Sequence, residues 1–488
     1  MLMQTPPEAA KAPVERDTIT TGLCIIGAGP GGIALAASAA AYGHDVVLVE
    51  KHKMGGTSLN YGSMPAVALH ASAERAHALR TAGLFGIAPL EPAVNRNAVS
   101  AQIADIVEAC APNATQERLA GLGVRVIQAA ARFIDPKTLV AGEHRITARR
   151  FVIATGSSPA LPDLPGLDTV PYETTDTIFS ARDAIDHLIV IGAGAAGVEL
   201  AQSHRRLGAR VTLIDRGGAL DRFDPELATV IRARLVAEGV VILDGVQVTN
   251  VEGSAGRLRV DIRKDGSALQ IEGSHLLIAC GRCPSVADIG LEAARIAVTG
   301  HGIKVNSLLR TSNRRVYAIG DVVGLPHSAH RAEYHAGLLV KTLLFRTPSP
   351  VNERLIPAAI HTDPEFATVG LSEAGARAVT PAIQVLRWPL RENPRAIANR
   401  ATAGHIKVVT DQRGKILGAA VVGRSAAELI GVWSLAISKG FSLDDMSDWM
   451  APYPAIGDVS GKALEHSAGL SVGRAFNRRW IKLLARLG

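Results

Sequence analysis

The chain has 488 residues, 47% of them hydrophobic and 20% charged, which is typical of a globular protein with large cores and about three domains. Its four cysteines are too few for a disulfide framework, so a reducing cytoplasm is expected, and no run of about 18 apolar residues predicts a membrane-spanning helix. Five basic residues after Glu465 carry most of the net charge of +7, so the charge gives little reason to expect nucleic-acid binding.

The first predicted element is an apolar strand from Leu23 to Ile26, which follows a Pro- and Ala-rich tail without a signal-peptide pattern. A glycine-rich turn comes next, then an Ala-rich helix and a second strand that ends at Glu50. The glycines of the turn are Gly27, Gly29 and Gly32.

The same order of elements recurs further along the chain. A strand from Leu188 to Ile191 leads into a second glycine-rich turn, a helix and a strand that ends just before Asp215. The glycines of this turn are Gly192, Gly194 and Gly197. In both stretches 23 residues separate the first glycine from the terminal acid. Strand, glycines, helix, strand and acid in this order are typical of dinucleotide binding, and their repetition predicts two such units.

Each residue type in this pattern has a physical role. The first glycine permits a tight turn, the second lets the backbone approach a pyrophosphate, and the third lets the helix pack on the strand. The helix N-terminus offers free N–H groups and the positive end of its dipole to the phosphates. Glu50 and Asp215 are expected to accept hydrogen bonds from ribose hydroxyls. The carboxylate of Asp215 would repel a 2′-phosphate and favours NADH over NADPH, although Arg216 weakens that preference.

A further glycine-rich loop lies between the two units. Residues 55–65 read Gly-Gly-Thr-Ser-Leu-Asn-Tyr-Gly-Ser-Met-Pro. This segment resembles the Gly-Gly-Thr-Cys-Leu-Asn-x-Gly-Cys-x-Pro loop of the pyridine nucleotide-disulfide oxidoreductases, which include dihydrolipoamide dehydrogenase, glutathione reductase and mercuric reductase. Segments of the same family are also similar to residues 151–156, 316–321, 363–371 and 416–423, and Pro452-Tyr453-Pro454 resembles the mercuric-reductase-like branch.

The resemblance, which spans residues 20–465, implies an α/β homodimer. Its fold would have two Rossmann-like dinucleotide-binding domains, one for FAD and one for NAD(P), and a C-terminal α+β dimerisation domain. The expected divisions are a flexible tail at 1–17, the first part of the FAD-binding domain at 18–160, the NAD(P)-binding domain at 161–282, an FAD-binding or central part at 283–352, the dimerisation domain at 353–466 and a basic amphipathic helix at 467–488.

The motifs and the resemblance together indicate which residues hold the two cofactors. Those expected to bind FAD are Gly27, Gly29, Gly32, Glu50, Lys51, Gly56, Thr57, Thr155, Gly156 and Asp321. Those expected to bind NAD(P)H are Gly192, Gly194, Gly197, Asp215 and Arg216.

The chain departs from the family at its reactive centre. Ser58 and Ser63 stand at both positions where the family carries its redox-active cysteines, and a serine hydroxyl has no disulfide couple. Val67 stands where the family usually has a lysine beside the flavin. The acid that pairs with this lysine corresponds to Glu199. Without the lysine, this carboxyl would either exchange a proton beside the flavin at a raised pKa or find another partner.

Tyr453 and Asp458 stand where many members of the family carry a His-Glu pair that reaches in from the partner subunit. The phenol of Tyr453 would donate a hydrogen bond to the carbonyl oxygen of an acceptor such as a quinone, or it would only shape the dimer interface.

Two further sets of residues have spacings that suggest chemistry. Cys280 and Cys283 are spaced like a redox pair, but they match a family turn that does not lie over the reactive flavin edge, so two incidental cysteines are the favoured interpretation. His327, His330 and His335 are spaced like ligands, but they are expected on a helix and its approach, and no metal is implied.

The C-terminal segment predicts a basic amphipathic helix. Its apolar residues at helical spacing are Phe476, Trp480, Leu483, Leu484 and Leu487. Such a helix suits adsorption to an anionic membrane surface, or docking on the protein's own dimer. A cytoplasmic location with peripheral contact at the inner face of the membrane is therefore expected.

These features predict a FAD-dependent NAD(P)H oxidoreductase that is not a disulfide reductase. Electrons would pass directly from reduced flavin to a small acceptor, and a quinone is the favoured one. The expected catalytic residues are Ser58, Ser63, Glu199, Tyr453 and Asp458. Two alternatives remain open: a non-catalytic flavoprotein for redox sensing or partner docking, and an FAD-dependent dehydrogenase of an organic substrate.

Overall fold

The structure is a computed structural model that describes residues 17–181, 183–380, 382–472, 482, 484 and 485, with the backbone alone between 466 and 472. The chain forms two compact units. The first contains the described residues up to Asn60 together with Ala109–Ser158 and Arg282–Val351. The second contains Tyr61–Glu108, Pro159–Gly281 and the described residues from Asn352 onward.

The strands follow one another along the chain with few long gaps. In chain order they are β1 (Asp17–Ile26), β2 (Val46–Glu50), β3 (Val124–Gln128), β4 (Ala131–Asp135), β5 (Thr138–Ala141), β6 (His144–Ile153), β7 (Ser157–Pro159), β8 (Glu173–Thr174), β9 (His187–Ile191), β10 (Arg210–Ile214), β11 (Val240–Leu243), β12 (Gln247–Ser254), β13 (Arg257–Lys264), β14 (Ser267–Gly273), β15 (His275–Ile278), β16 (Arg282–Pro284), β17 (Val298–Thr299), β18 (Gly302–Ile303), β19 (Val316–Ala318), β20 (Ala358–Ile360), β21 (Glu365–Gly370), β22 (Ile383–Pro389), β23 (His405–Asp411) and β24 (Ile416–Gly423).

The helices connect and cover these strands. They are α1 (Pro30–Ala41), α2 (Gly56–Asn60), α3 (Ser63–Thr81), α4 (Arg96–Cys110), α5 (Gln116–Gly121), α6 (Ala195–Arg206), α7 (Pro225–Ala237), α8 (Ala329–Leu339), α9 (Glu373–Val379), α10 (Pro394–Ala398), α11 (Ala426–Lys439) and α12 (Asp458–Val472).

The first unit is built on a seven-stranded sheet with the order β3-β2-β1-β6-β5-β4, and β19 pairs with β6. β1 runs parallel to β2 and β6, whereas β4 and β5 are antiparallel additions. Ile25 and Leu48 pack with α1 and α8 on one face, and Ile26 and Val49 belong to the core on the other. Burial of both faces explains why these parallel strands are almost wholly apolar.

The second unit contains a parallel sheet with the order β11-β10-β9-β15-β8. Residues of α3, α6 and α7 share one core with one face of this sheet. A three-stranded antiparallel sheet, β12-β13-β14, shares a second core with the other face, through Ile189 and Val260 among others. The parallel sheet is therefore covered on both sides, as its apolar strands require.

The same unit also contains a five-stranded antiparallel sheet with the order β20-β21-β24-β23-β22. α11 and α12 pack against it around Trp433, which is fully buried and donates a hydrogen bond from Nε1 to Ser460 Oγ at 3.1 Å. The buried indole thus has both its apolar body and its single donor satisfied.

The predicted fold class is confirmed, because two parallel sheets with covering helices precede an antiparallel sheet flanked by helices. β1 begins at Asp17, earlier than the predicted Leu23, because residues ahead of the apolar run pair with β6. The proposed domain divisions remain predictions. The predicted N-terminal tail before Asp17 and most of the predicted C-terminal helix at 467–488 lie outside the described residues.

Candidate nucleotide-binding and active site

The first glycine-rich turn joins β1 to α1 at very short range. Gly27 has a φ of +105°, and a Cβ built on it would lie 2.4 Å from the main-chain oxygen of Ala154. A Cβ on Gly32 would lie 1.9 Å from the oxygen of Gly27. Only glycine fits at these two positions, and this lets the helix begin directly against the end of the strand.

Gly29 lies between them in an open setting, because nothing is within 4 Å of a Cβ built on it. It precedes α1 as the N-cap residue and provides no side-chain hydrogen bond to the first turn. The loop that follows β2 borders the same place, since the N–H of Gly55 donates to the oxygen of Ala28 at 2.9 Å. Open space beside an uncapped helix N-terminus fits the pyrophosphate of a dinucleotide.

Glu50 ends β2 and is buried beside this turn. Its Oε2 accepts a hydrogen bond from the N–H of Ala28 at 2.6 Å, and its Oε1 accepts one from the N–H of His52 at 2.7 Å. The carboxylate is thereby fixed where a ribose is expected to lie. The neighbouring Lys51 is exposed, and Gly56 and Thr57 begin α2 in the same unit.

A hydrogen-bonded group surrounds Asp321 in the first unit. The hydroxyl of Ser157 donates to Asp321 Oδ2 at 2.6 Å. Arg282 donates from Nε to Ser157 Oγ and from Nη2 to Ser157 O, both at 2.8 Å. Thr155 Oγ1 donates to the oxygen of Ser285 at 2.8 Å. These bonds hold the Asp321 carboxylate in a fixed position, which fits its expected contact with the hydroxyl groups of the flavin's ribityl chain.

Two features of this group escaped the sequence-based prediction. Ser157 directly follows Gly156, which was predicted to bind FAD. Arg282 lies between Cys280 and Cys283, and only these two cysteines were considered in the sequence analysis. Arg331 in α8 is only 3% exposed, and its Nη1 donates to the oxygen of Gly324 at 2.7 Å. No sequence pattern indicated that this cation would be buried so close to the Asp321 segment.

The structure places the three histidines with ligand-like spacing on α8 and just before it. His327 precedes the helix, and His330 and His335 lie within it. His335 is fully buried, and its Nδ1 accepts a hydrogen bond from the N–H of Gly320 at 3.2 Å. Within the described residues, no group of three or more His, Cys, Asp or Glu side chains has the geometry to hold a metal ion.

The second glycine-rich turn repeats the geometry of the first. Gly192 has a φ of +105°, and a Cβ on Gly197 would lie 1.9 Å from the oxygen of Gly192. Gly194 again has nothing within 4 Å of a built Cβ. Asp215 accepts hydrogen bonds from Ala193 N–H at 2.6 Å and from Gly217 N–H at 2.8 Å. The second turn therefore has the same backbone geometry as the first, with an open middle glycine and an acid bonded to the turn.

Glu199 lies on α6, five residues after the N-cap Gly194. Its Oε1 accepts a hydrogen bond from the main-chain N–H of His361 at 2.6 Å. Loss of water around the carboxyl raises the pKa of Glu199 above its ordinary value, and the hydrogen bond and charge of His361 partly oppose this, although the residue keeps some exposed surface. Both alternatives for Glu199 therefore stay open, because its pKa is raised and the main-chain N–H of His361 is its hydrogen-bond partner.

Comparison with known proteins decides the family. Residues 21–336 match the family described as pyridine nucleotide-disulphide oxidoreductase, and residues 356–464 match its dimerisation domain. The chain belongs to the pyridine nucleotide-disulphide oxidoreductase family. It is an FAD- and NAD(P)H-using family of oxidoreductases, and the match to the dimerisation domain supports a homodimer.

Individual members of the family are similar over most of the chain. Mercuric reductase of Bacillus cereus is 33% identical over 88% of this chain and 68% of its own length. Dihydrolipoyl dehydrogenase of Geobacillus stearothermophilus is 30% identical over 93% of this chain and 97% of its own length. The crystal structure of LpdA from Mycobacterium tuberculosis superimposes with a TM-score of 0.83 at 26% identity, over 91% of this chain and 99% of that one.

The departures from the family lie at the start of α3 and just before it. Ser58 is half-buried in α2, and Ser63 is the exposed first residue of α3. Val67 is 45% exposed on α3, the helix that packs against α6. All four cysteines of the chain are free thiols. The loop at 55–65 contains serines and no cysteine, so none of these free thiols lies in it.

Of the two cysteines with the spacing of a redox pair, Cys280 is not an activated thiol. Cys280 and Cys283 are both exposed and free. The surrounding protein and the negative charge of Asp215 raise the pKa of Cys280 to about 11. A thiol with so high a pKa is almost entirely protonated at neutral pH and is a poor nucleophile.

The structure places the two residues predicted to reach an active site from the C-terminal part at the start of α12 and shortly before it. Tyr453 is 78% exposed, and Asp458 is the first residue of α12. Their catalytic roles remain predictions.

None of the helices that the structure describes is long and apolar enough to cross a membrane.

Proposed function

We propose that the protein is an NADH-dependent flavoenzyme that passes electrons from FAD directly to a small acceptor, most simply a quinone, without a redox disulfide. The observation that carries this proposal is the presence of Ser58 and Ser63 at the two positions where the resembling loop carries cysteines. A disulfide relay needs two thiols at those positions, and the other cysteines are unpaired, with Cys280 held at a high pKa.

The residues around the two glycine-rich turns fit the two cofactors. FAD would be held by the open position at Gly29, the carboxylate of Glu50 and the group around Asp321. NADH would be held by Gly194 and Asp215 in the second unit. When bound, FAD supplies the ability to accept a hydride from the dihydronicotinamide and to release the two electrons to a second substrate.

The preference for NADH is supported by the position of Asp215. Its two carboxylate oxygens accept hydrogen bonds from the N–H groups of Ala193 and Gly217, which fix the carboxylate at the end of β10. A 2′-phosphate there would meet like-charge repulsion. Arg216 is exposed and is the residue that would lessen this repulsion.

A quinone suits the chemistry of the site. The overall reaction NADH + H⁺ + quinone → NAD⁺ + hydroquinone balances without any thiol and needs one proton from the protein or from water. Small hydroxyl side chains at Ser58 and Ser63 leave more room than a disulfide of relatives would, and an exposed Tyr453 phenol is available as a donor. We propose Ser58, Ser63, Glu199, Tyr453 and Asp458 as the residues that line or serve the acceptor's site.

The same proposal includes the domain boundaries and the location of the protein. The FAD-binding parts would be 18–160 and 283–352, the NAD(P)-binding domain 161–282 and the dimerisation domain 353–466. A basic amphipathic helix at 467–488 would bring a cytoplasmic enzyme to the inner face of a membrane, where lipid-soluble quinones are found.

Steady-state NADH oxidation tests the proposal. The purified protein is assayed with a soluble quinone and, separately, with a small disulfide, beside a Cys280→Ser/Cys283→Ser variant. We expect turnover of the quinone alone, with equal rates in both proteins. Disulfide reduction by the unmodified protein that the double variant loses would overturn the proposal, as would a lack of turnover with every acceptor.

A further inference from the structure

The side chain of His327, just ahead of α8, contains a buried nitrogen that the protein itself leaves unpaired. Its Nε2 is shielded from solvent, and no hydrogen-bond partner for this atom exists in the part of the chain that the structure describes. A buried nitrogen in this state has lost its bonds to water and gained none, which is unfavourable. Buried polar groups of folded proteins nearly always have a partner, so the surroundings of His327 indicate which group supplies one.

The backbone on both sides of His327 is held close to Asp321. The N–H of Gly324 donates to the main-chain oxygen of Asp321 at 3.0 Å. Arg331 Nη1 donates to the oxygen of Gly324 at 2.7 Å, and the main-chain N–H of Arg331 donates to Ser328 Oγ at 3.3 Å. His327 therefore lies in a short loop that leaves Asp321 and enters α8, and one arginine of α8 bonds to the loop on both sides of the histidine.

The start of α8 also lies against the first glycine-rich turn. A Cβ built on Gly31, in the first turn of α1, would lie 2.8 Å from the main-chain oxygen of Ala332. A Cβ built on Gly320 would lie 3.0 Å from the Cβ of Ala332. The first turn of α8 is therefore next to two places at once: the start of α1, which is expected to hold the pyrophosphate of FAD, and the segment of Asp321, which is expected to hold its ribityl chain.

The charged groups around His327 belong to the same part of the first unit. Burial lowers the pKa of His327, the negative charge of Asp321 raises it, and the positive charges of Arg282 and Arg331 lower it. Because burial dominates, the neutral imidazole is favoured, with one N–H donor and one acceptor nitrogen. A neutral imidazole suits the hydroxyl groups of a ribityl chain and the carbonyl groups of a flavin as hydrogen-bond partners.

We propose that His327 is an FAD-binding residue, and that its Nε2 forms a hydrogen bond with the half of the cofactor that contains the ribityl chain and the flavin. The unpaired nitrogen and its place beside Asp321 carry this assignment. The other two histidines of this region are different, since His330 is exposed and His335 already accepts a bond from Gly320 N–H. The inference rests on the FAD-binding part of the proposed function and is independent of the acceptor.

Dilution of the FAD-loaded protein, followed through the fluorescence of released FAD, tests this inference. The dissociation constant of FAD is measured in this way for the unmodified protein, for His327→Leu and for His327→Gln. Leucine keeps a side chain of similar size but offers no hydrogen bond, so we expect FAD to bind about tenfold more weakly. Glutamine offers both a donor and an acceptor and should keep most of the affinity.

Displacement of FAD by ADP identifies the half of the cofactor that His327 binds. ADP contains the adenosine and the two phosphates of FAD but neither the ribityl chain nor the flavin. Its inhibition constant should therefore be the same in His327→Leu and in the unmodified protein, while the dissociation constant of FAD rises. An equal loss of affinity for ADP and FAD would show that His327 only supports the fold of the turn, and this would overturn the inference.

Matched variants complete the test. His44→Leu changes an exposed histidine that follows α1 and should keep the FAD affinity of the unmodified protein. If His327→Leu fails to fold, as judged by circular dichroism, His327→Met takes its place, because methionine also lacks an N–H group. Unchanged FAD affinity in the apolar variant, or a glutamine variant as weak as the apolar one, overturns the inference and leaves quinone turnover, which is measured separately, unaffected. Unmodified protein that retains no FAD would overturn both proposals.

Discussion

Asp215 and Ala193 are joined by a 2.6 Å hydrogen bond from the main-chain N–H to Oδ2, and Glu50 and Ala28 are joined in the same way at 2.6 Å. Each acid lies at the end of a strand or directly after it and bonds to the turn of its own glycine motif, whose middle glycine stays open. The two turns therefore have the same hydrogen-bonded geometry. What distinguishes them is the carboxylate's second bond, from His52 in one case and from Gly217 in the other.

Replacing Asp215 should change the choice of dinucleotide. Asp215→Ala removes the negative charge at the end of β10 and leaves Arg216 free to attract a 2′-phosphate. We expect the ratio of kcat/KM for NADPH over NADH to rise by about tenfold or more, equivalent to about 1.4 kcal/mol. FAD content provides the control, because Glu50 is unchanged. A variant that loses both dinucleotides equally would show that Asp215 serves the turn and not the ribose.

Alanine in place of the open glycine of the second turn should weaken binding, whereas alanine in place of the crowded glycine should impair folding. Gly194→Ala places its Cβ in open space, and the backbone there, with φ −72°, suits any residue. It should fold normally and bind NADH more weakly, since the methyl occupies the pyrophosphate's space. Gly197→Ala is the matched comparison: its Cβ would meet the Gly192 oxygen at 1.9 Å, so the yield of folded protein should fall. Thermal unfolding and NADH titration distinguish these effects, and equal behaviour of the two variants would refute the account.

Asp321 should be needed for FAD retention. Asp321→Ala removes the carboxylate that accepts from Ser157 at 2.6 Å and leaves the Ser157–Arg282 contacts without their acid. We expect the purified variant to contain little FAD, measured as the ratio of absorbance at the flavin band to that of the protein. Asp45→Ala changes an exposed acid of the same unit outside this group and should keep its FAD. Full FAD content in the Asp321 variant would exclude the assigned role.

Lys407, which is buried on β23 among three carboxylates, should contribute to the stability of the fold. Its Nζ lies 2.8 Å from Asp224, 2.9 Å from Glu226 and 2.9 Å from Glu373. Lys407→Met leaves these acids without their common cation, which should cost about 3 kcal/mol of unfolding free energy. Lys462→Met, which breaks an exposed pair with Glu465, should change the denaturation midpoint little.

The pH dependence of this cluster gives an independent check. Hydrogen bonds from Arg387 and Lys407 lower the pKa of Glu226 to about 2, and those from Lys407 and Arg377 lower the pKa of Glu373 to about 2. The stabilisation from a lowered carboxyl pKa is complete above the unfolded pKa of about 4.3 and is lost as the pH falls towards 2. Unmodified protein should therefore lose stability over this window more steeply than Lys407→Met. Parallel curves would contradict the assignment.

The sequence could predict the elements whose signals are local. The glycine turn, the helix, the second strand and the acid lie within 24 consecutive residues, so both nucleotide units were visible from Gly27 to Glu50 and from Gly192 to Asp215. The contacts that the sequence missed join residues far apart. Arg282 meets Ser157 across 125 positions and Lys407 meets Asp224 across 183, and no periodic pattern reports such pairings. The partner of Glu199 was missed for the same reason, because it is a main-chain N–H at position 361.

The measurement that most directly tests electron transfer without a disulfide is anaerobic double-mixing stopped-flow absorbance of the Cys280→Ser/Cys283→Ser variant. The protein is mixed first with NADH and then with a soluble quinone. The account predicts that NADH bleaches the flavin, that the quinone restores its colour, and that both rates equal those of the unmodified protein. A flavin that stays oxidised with NADH, or that recovers its colour with quinone only when Cys280 and Cys283 are present, would contradict it.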